Sequence, residues 1–134
     1  MAYIEWTGAL RIGISDIDAQ HQRLVALINE LAAAREMEGD AAKLGTALTS
    51  LAEYAATHFA LEESLFKRFD YPGAEPHARE HAAFAARVAG FAAALAAGEA
   101  KPEELLTFLK TWLTTHISFS DKKYAPFLKE RGRE

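Results

Sequence analysis

The sequence predicts an all-α fold: an antiparallel up-down-up-down four-helix bundle with an irregular N-terminal arm and a short C-terminal helix. Three observations point there. Alanine, the strongest helix former, supplies 28 of the 134 residues. Large apolar residues recur at alternating three- and four-residue steps, and few stretches alternate with the period of a strand. Glycine and proline breaks divide the chain into segments of about 20 residues with short connections, the pattern of an antiparallel bundle.

Each element has a local reason. Residues 1–14 carry Trp6, Gly8 and Gly13 and read as the arm. Ser15 or Asp16 can cap a first helix that runs to about Met37, and Glu38-Gly39-Asp40 forms a turn. A second helix runs from about Ala41 to Phe69, where Asp70-Tyr71-Pro72-Gly73 breaks it. Pro76 suits the first turn of a third helix, which continues to about Ala97 and stops at Gly98. Pro102 opens a fourth, ending near Ser120, and a short last helix covers Lys122–Arg131 around Pro126. No repeat, linker or second domain is visible, so residues 1–134 are expected to form one domain.

Composition excludes several functions. With no cysteine, there is no disulfide framework, thiolate nucleophile or cysteine-bound metal. A net charge of −4, with no basic stripe, offers no footprint for nucleic acid. No apolar run approaches ~18 residues, so no membrane span is expected. The N-terminus lacks the basic and apolar regions of a secretory signal, which makes a cytoplasmic location the expectation. A monomer is expected.

The five histidines carry the chemistry. Phased by their large apolar residues, the helices present inward stripes. The first is Ile17, His21, Leu24, Ile28, Leu31; the second is Leu44, Leu48, Leu51, Ala55, His58, Glu62, Leu65, Phe69. The third is His77, His81, Phe84, Val88, Phe91, Leu95; the fourth is Leu105, Leu109, Trp112, His116, Phe119. Every histidine and Glu62 lie on these stripes. In an up-down bundle all of them also fall at the same end. Unpaired, each such group costs on the order of 1–3 kcal/mol in an apolar core, and a bound metal removes that conflict.

His58/Glu62 and His77/His81 are one helical turn apart, so each pair can reach one centre or two adjacent ones. Asp121 follows His116 by five residues, about 140° around a regular helix, and joins only if the helix is distorted or ends there. With Asp121 the set holds five imidazoles and two carboxylates, too many for one tetrahedral zinc. It suits two six-coordinate ions bridged by the carboxylates. Ligand softness admits iron without excluding cobalt, manganese or zinc.

At these residues the chain resembles the hemerythrins, in particular the single-domain bacterial members called bacteriohemerythrins. The resemblance rests on Ile12-Gly13-Ile14 with Ile17-Asp18-Ala19-Gln20-His21, on His58-Phe59-Ala60-Leu61-Glu62-Glu63, and on Tyr71-Pro72. It continues through His77-Ala78-Arg79-Glu80-His81 and His116-Ile117 with Asp121 and Tyr124, and so spans Trp6 to about Leu128. It implies reversible O2 binding, for storage, delivery or scavenging, at two non-heme iron ions joined by an oxo or hydroxo bridge. His77, His81 and His116 are then expected on one iron, His21 and His58 on the other, with Glu62 and Asp121 bridging. Leu24, Phe59, Trp112 and Ile117 are expected to line an O2 pocket, although any of them could equally be core packing.

Two alternatives stand beside this one. His77-Ala78-Arg79-Glu80-His81 matches the inverted zinc-peptidase pattern H-x-x-E-H, but that leaves His21, His58 and His116 without a purpose. A di-iron oxidoreductase (peroxidase, oxidase or NO-handling) or an O2 sensor could use the same scaffold. Di-iron carboxylate oxidases use glutamate-rich sets with two histidines. Five imidazoles stabilise high-valent iron less well, so a binding protein, not an enzyme, is expected, with at most weak peroxidase or oxidase activity.

Overall fold

The first helix begins where a carboxylate turns back on the chain that leads into it. Asp18 accepts hydrogen bonds from the backbone N–H of Ile12 at 2.8 Å and of Gly13 at 3.0 Å. Gly13 has φ +88°, a conformation glycine adopts without strain, and a Cβ there would also collide with Lys129. Upstream, Ile4 and Asn29 exchange two hydrogen bonds, Ile4 N–H to Asn29 Oδ1 and Asn29 Nδ2 to the Ile4 carbonyl. The arm is thus tied to α1 at two levels, and Ile4, Leu10, Ile12 and Ile14 are buried.

The computed structural model describes residues 2–35 and 41–132. A short 3-10 turn, Gly8–Leu10, precedes α1 (Ser15–Arg35), α2 (Ala41–Phe69), α3 (Ala74–Ala96) and α4 (Pro102–Thr115). A π-helical turn, His116–Asp121, then leads directly into α5 (Lys122–Glu130). Among the described residues there is no strand. Helix α1 packs on α2 and α4, and α3 on α2 and α4, which closes a four-helix bundle. No helix of the described residues is long and apolar enough to cross a membrane.

Most expected boundaries hold to within two residues. The expected end of the first helix at Met37 and the turn at Glu38-Gly39-Asp40 lie outside the described residues. Helices α2 and α3 end in the same backbone motif. Asp70 at φ +53° and Gly98 at φ +78° each take the left-handed position after the helix. The next N–H then reaches back, Tyr71 to the Phe66 carbonyl at 2.9 Å and Glu99 to the Ala94 carbonyl at 2.8 Å. Pro126 sits inside α5 without ending it.

One expectation fails. The sequence pattern carries the fourth helix to about Ser120, with Phe119 on its inward stripe. It stops being α-helical at Thr115, and Phe119 is 74% exposed. A π turn spends an extra residue per turn, so the inward face passes from His116 to Ile117 and Asp121, and then to Tyr124 and Leu128. The remaining stripe residues are buried, or partly buried in the case of Phe69, Phe91, Leu95 and Trp112.

Replacing Asp18 with alanine leaves two backbone donors of a half-buried turn without acceptors. The expected cost is about 1–3 kcal/mol, read as a lower urea midpoint at unchanged slope. An unchanged midpoint would show that water replaces the carboxylate without loss.

Candidate metal centre

Four helical segments deliver seven ligand-type side chains to one end of the bundle. His21 comes from the second turn of α1, His58 and Glu62 from the second half of α2, and His77 and His81 from the start of α3. His116 and Asp121 come from the two ends of the π turn. All seven are buried, with Glu62 and Asp121 fully so. The structure therefore brings together every residue expected at the site. Asp121 joins by the helix distortion its spacing demanded, since a π turn stacks residues five apart as an α-helix stacks residues four apart.

The side chains form two groups that share Glu62. Ligand atoms of Glu62, His77, His81 and His116 lie within 4.8 Å of one another, as do those of His21, His58, Glu62 and Asp121. Asp121 divides its oxygens between them. Oδ1 is 3.1 Å from both His77 Nε2 and His116 Nε2, and Oδ2 is 3.0 Å from His21 Nε2. Glu62 Oε1 lies 3.1 Å from His81 Nε2, 3.4 Å from His58 Nε2 and 3.7 Å from His77 Nε2. Its other oxygen accepts a hydrogen bond from the buried Tyr124 hydroxyl.

These short distances are not hydrogen bonds. His21 Nε2, His77 Nε2, Glu62 Oε1 and both Asp121 oxygens are buried without a hydrogen-bond partner. They point at shared space and not along one another's lone pairs. Buried polar atoms are normally paired, so five such orphans facing the same two points are what a set of metal ligands looks like. The donor set of nitrogen and carboxylate oxygen fits iron.

The opposite ring nitrogens follow a relay that sequence reasoning did not find. His58 Nδ1–H donates to Gln20 Oε1 at 2.6 Å, His81 Nδ1–H to Glu63 Oε2 at 2.9 Å, and His116 Nδ1–H to Glu80 Oε1 at 2.9 Å. Ser120 Oγ–H also donates to Glu80, at 2.7 Å. These bonds fix the tautomer that leaves Nε2 free for a metal. Gln20, Glu63 and Glu80 each sit next in sequence to a ligand-type residue of their own helix, yet each serves a histidine of the following helix. The signal available in the sequence was that adjacency to His21, Glu62 and His81. His21 Nδ1 is buried without a partner.

Aromatic rings close the three-histidine side. Phe59 stacks on His81 with centroids 3.9 Å apart and planes 7° from parallel, and Trp112 stacks on His116 at 4.3 Å and 13°. Phe59 also lies 5.9 Å from the His58 ring. Leu24 and Ile117 are buried, and Trp112 is partly so. A groove of about 510 Å³ between α3 and α4 brings solvent to Glu80, Trp112 and the edge of His116.

Electrostatics follow from this crowding. Burial pushes Glu62 up, as does the Asp121 charge, but the surrounding imidazoles prevail and hold it near 2. Burial likewise opposes ionisation of Asp121, and His116, His21 and His77 hold it well below its usual value. Burial lowers His77, yet the approach of Asp121 and Glu62 outweighs it and raises the pKa to about 9. His116 is raised by Asp121 against the same burial. For His58 burial wins, bringing it to about 4 despite Glu62. Burial first, then the two carboxylate charges, keeps Tyr124 protonated as a donor.

Family comparisons agree with this geometry. Residues 12–128 match the Hemerythrin HHE cation binding domain. A bacteriohemerythrin from Stenotrophomonas maltophilia is 38% identical over 129 residues, 96% of this chain and 84% of that protein. One from Pseudomonas aeruginosa is 36% identical over 134 residues, 100% of this chain and 87% of that protein. A crystal structure of wild-type hemerythrin superposes with a TM-score of 0.86 at 29% identity, covering 93% of this chain and 97% of that one.

Two outcomes test the site. A metal must displace the proton that His77 holds below its pKa of about 9, whereas His58, near 4, is already neutral at pH 7. Zinc binding at pH 7 should therefore release at least about one proton, fading as pH rises through 9, measured by calorimetry in buffers of different ionisation heat. Heats independent of the buffer would contradict the charge assignment. The second test concerns the π turn. Deleting Phe119 reduces the His116–Asp121 spacing to the α-helical four and should retain two zinc ions per chain. Inserting an alanine after Phe119 should lose Asp121 and at least one zinc. Equal zinc content in both variants would show that Asp121 is not needed.

Proposed function

Because this chain belongs to the hemerythrin family, whose function is O2 binding, we propose that it binds O2 reversibly at a non-heme di-iron centre, in storage, delivery or scavenging. His77, His81 and His116 would hold one iron and His21 and His58 the other. Glu62 and Asp121 would serve both ions, in keeping with the oxo- or hydroxo-bridged pair that the family resemblance implies. The observation that carries this reading is the pair of ligand groups sharing Glu62, with the Asp121 oxygens divided between them. When bound, the iron pair supplies the two electrons that reversible O2 binding takes up and returns.

The chain's own residues do the rest. The relay of Gln20, Glu63 and Glu80 orients His58, His81 and His116. Tyr124 holds Glu62 through one oxygen, leaving the other to face both groups. O2 is small and apolar, so a dry pocket admits it while hindering the water and anions that promote irreversible oxidation. Leu24, one turn from His21, and buried Ile117 line that pocket in this reading. Phe59 spans His58 and His81, and Trp112, stacked on His116, acts as a shield. Five imidazoles against two carboxylates suit binding better than oxidase chemistry, in keeping with a family that is chiefly non-enzymatic.

The test is anaerobic reduction followed by O2, with iron analysis and visible spectroscopy. The expected result is two irons per chain and a charge-transfer band that grows with O2 and fades on degassing. Irreversible oxidation with sustained turnover of an added reductant would move the reading to a di-iron oxidase.

A further inference from the structure

The relay behind the histidines is unequal in charge. His81 and His116 each donate to a carboxylate, Glu63 and Glu80. The His58 ring donates to the neutral amide of Gln20, and His21 Nδ1 is buried with no acceptor. The division follows the two ligand groups: carboxylates stand behind His81 and His116 of the group of three imidazoles, and the amide behind His58 of the group of two. A carboxylate accepting from an imidazole N–H draws that proton toward itself and makes the opposite nitrogen a stronger donor to a metal; an amide does so less.

Glu63 and Glu80 reach from the buried imidazoles out to the surface. Both side chains are 44% exposed, and Glu80 lies in the groove between α3 and α4. Their outer ends are exposed while the imidazoles they orient stay buried. Ser120 adds a second donor to Glu80 and fixes its position from within the π turn.

We propose that Gln20, Glu63 and Glu80 are positioning residues that make the two half-sites bind metal with unequal strength. The carboxylate-backed half, His77, His81 and His116, holds its ion tightly. The amide-backed half, His21 and His58, holds the second ion weakly and keeps it the more electron-poor of the two. The choice of Gln20 over a glutamate thereby sets the affinity of the weaker position. This inference rests on the two-ion centre proposed above.

The experiment titrates the metal-free chain with zinc or cobalt(II) against a chromophoric chelator, so that iron and O2 chemistry play no part. Wild type should bind two ions in two resolved steps. Glu80→Gln should weaken the tighter step about 10–100-fold, the range for losing such a partner. Gln20→Glu should strengthen the weaker step and narrow the gap, a gain that a merely structural role would not produce. Cobalt(II) absorption reports which half-site fills in each step, and circular dichroism of the metal-free variants checks that the fold is kept. Two equal steps in wild type, or a weaker step that Gln20→Glu leaves unchanged, would overturn the proposal. The outcome is separable from the function: unequal steps in a protein whose iron form ignores O2 would uphold this inference and remove the O2 reading. Equal steps in a reversible O2 binder would do the reverse.

Discussion

Two carboxylates and five imidazoles buried together in an apolar bundle end are the condition the rest of the structure answers to. Glu62 and Asp121 are fully buried and ionised, and the crowd of histidines around them makes that tolerable. Burial penalises every charge in the group, and the balance of carboxylate contact against desolvation differs from ring to ring, lowering His58 and raising His77. Such a cluster adds little to stability by itself. Its arrangement makes sense as a receptor for cations, in which the unpaired lone pairs already converge.

Holding that arrangement falls to elements outside it. The arm fixes the start of α1 through Asp18, three residues before His21. The left-handed residue at Asp70 turns the chain sharply from α2 into α3, so His77 follows Glu62 within a short connection. Phe66 packs edge to face on both His77 and Tyr124, with Tyr71 tilted against it. The lower bundle, with Leu31, Leu48, Leu51 and Leu109 wholly buried, supplies the ordinary apolar core. Function is concentrated where the helices begin and end, and stability where they run side by side.

Much of this was legible in the sequence, and the reasons are local. His21, His58, Glu62, His77, His81 and His116 could be found because they keep the three-four rhythm of their helices. Asp121 could not be placed by rhythm, because a π turn breaks it. Yet the rhythm resumes one residue late at Asp121, Tyr124 and Leu128, and that skip marks the turn. Phe119 was misplaced for the same reason. The imidazole partners were hidden differently. Glu63 and Glu80 occupy off-stripe positions, where acidic residues usually face water, and nothing in composition separates them from their solvated neighbours. Asp18 was obscured by the ordinary preference for acids in a first helical turn.

The contact between His21 and Asp121, 3.0 Å apart, has a topological side. It joins the first and last of the seven residues along the chain and so closes a loop of about 100 residues. A metal ion held by both would act as a reversible cross-link of that span. In the chain-entropy picture a covalent link closing such a loop restricts the unfolded chain by about 4–5 kcal/mol. A contact of such long separation also forms late, after the helices have been brought into register. An ion held there would therefore do more than occupy a finished pocket: it would be a clasp, limiting how far the chain from α1 to the π turn can extend when it unfolds.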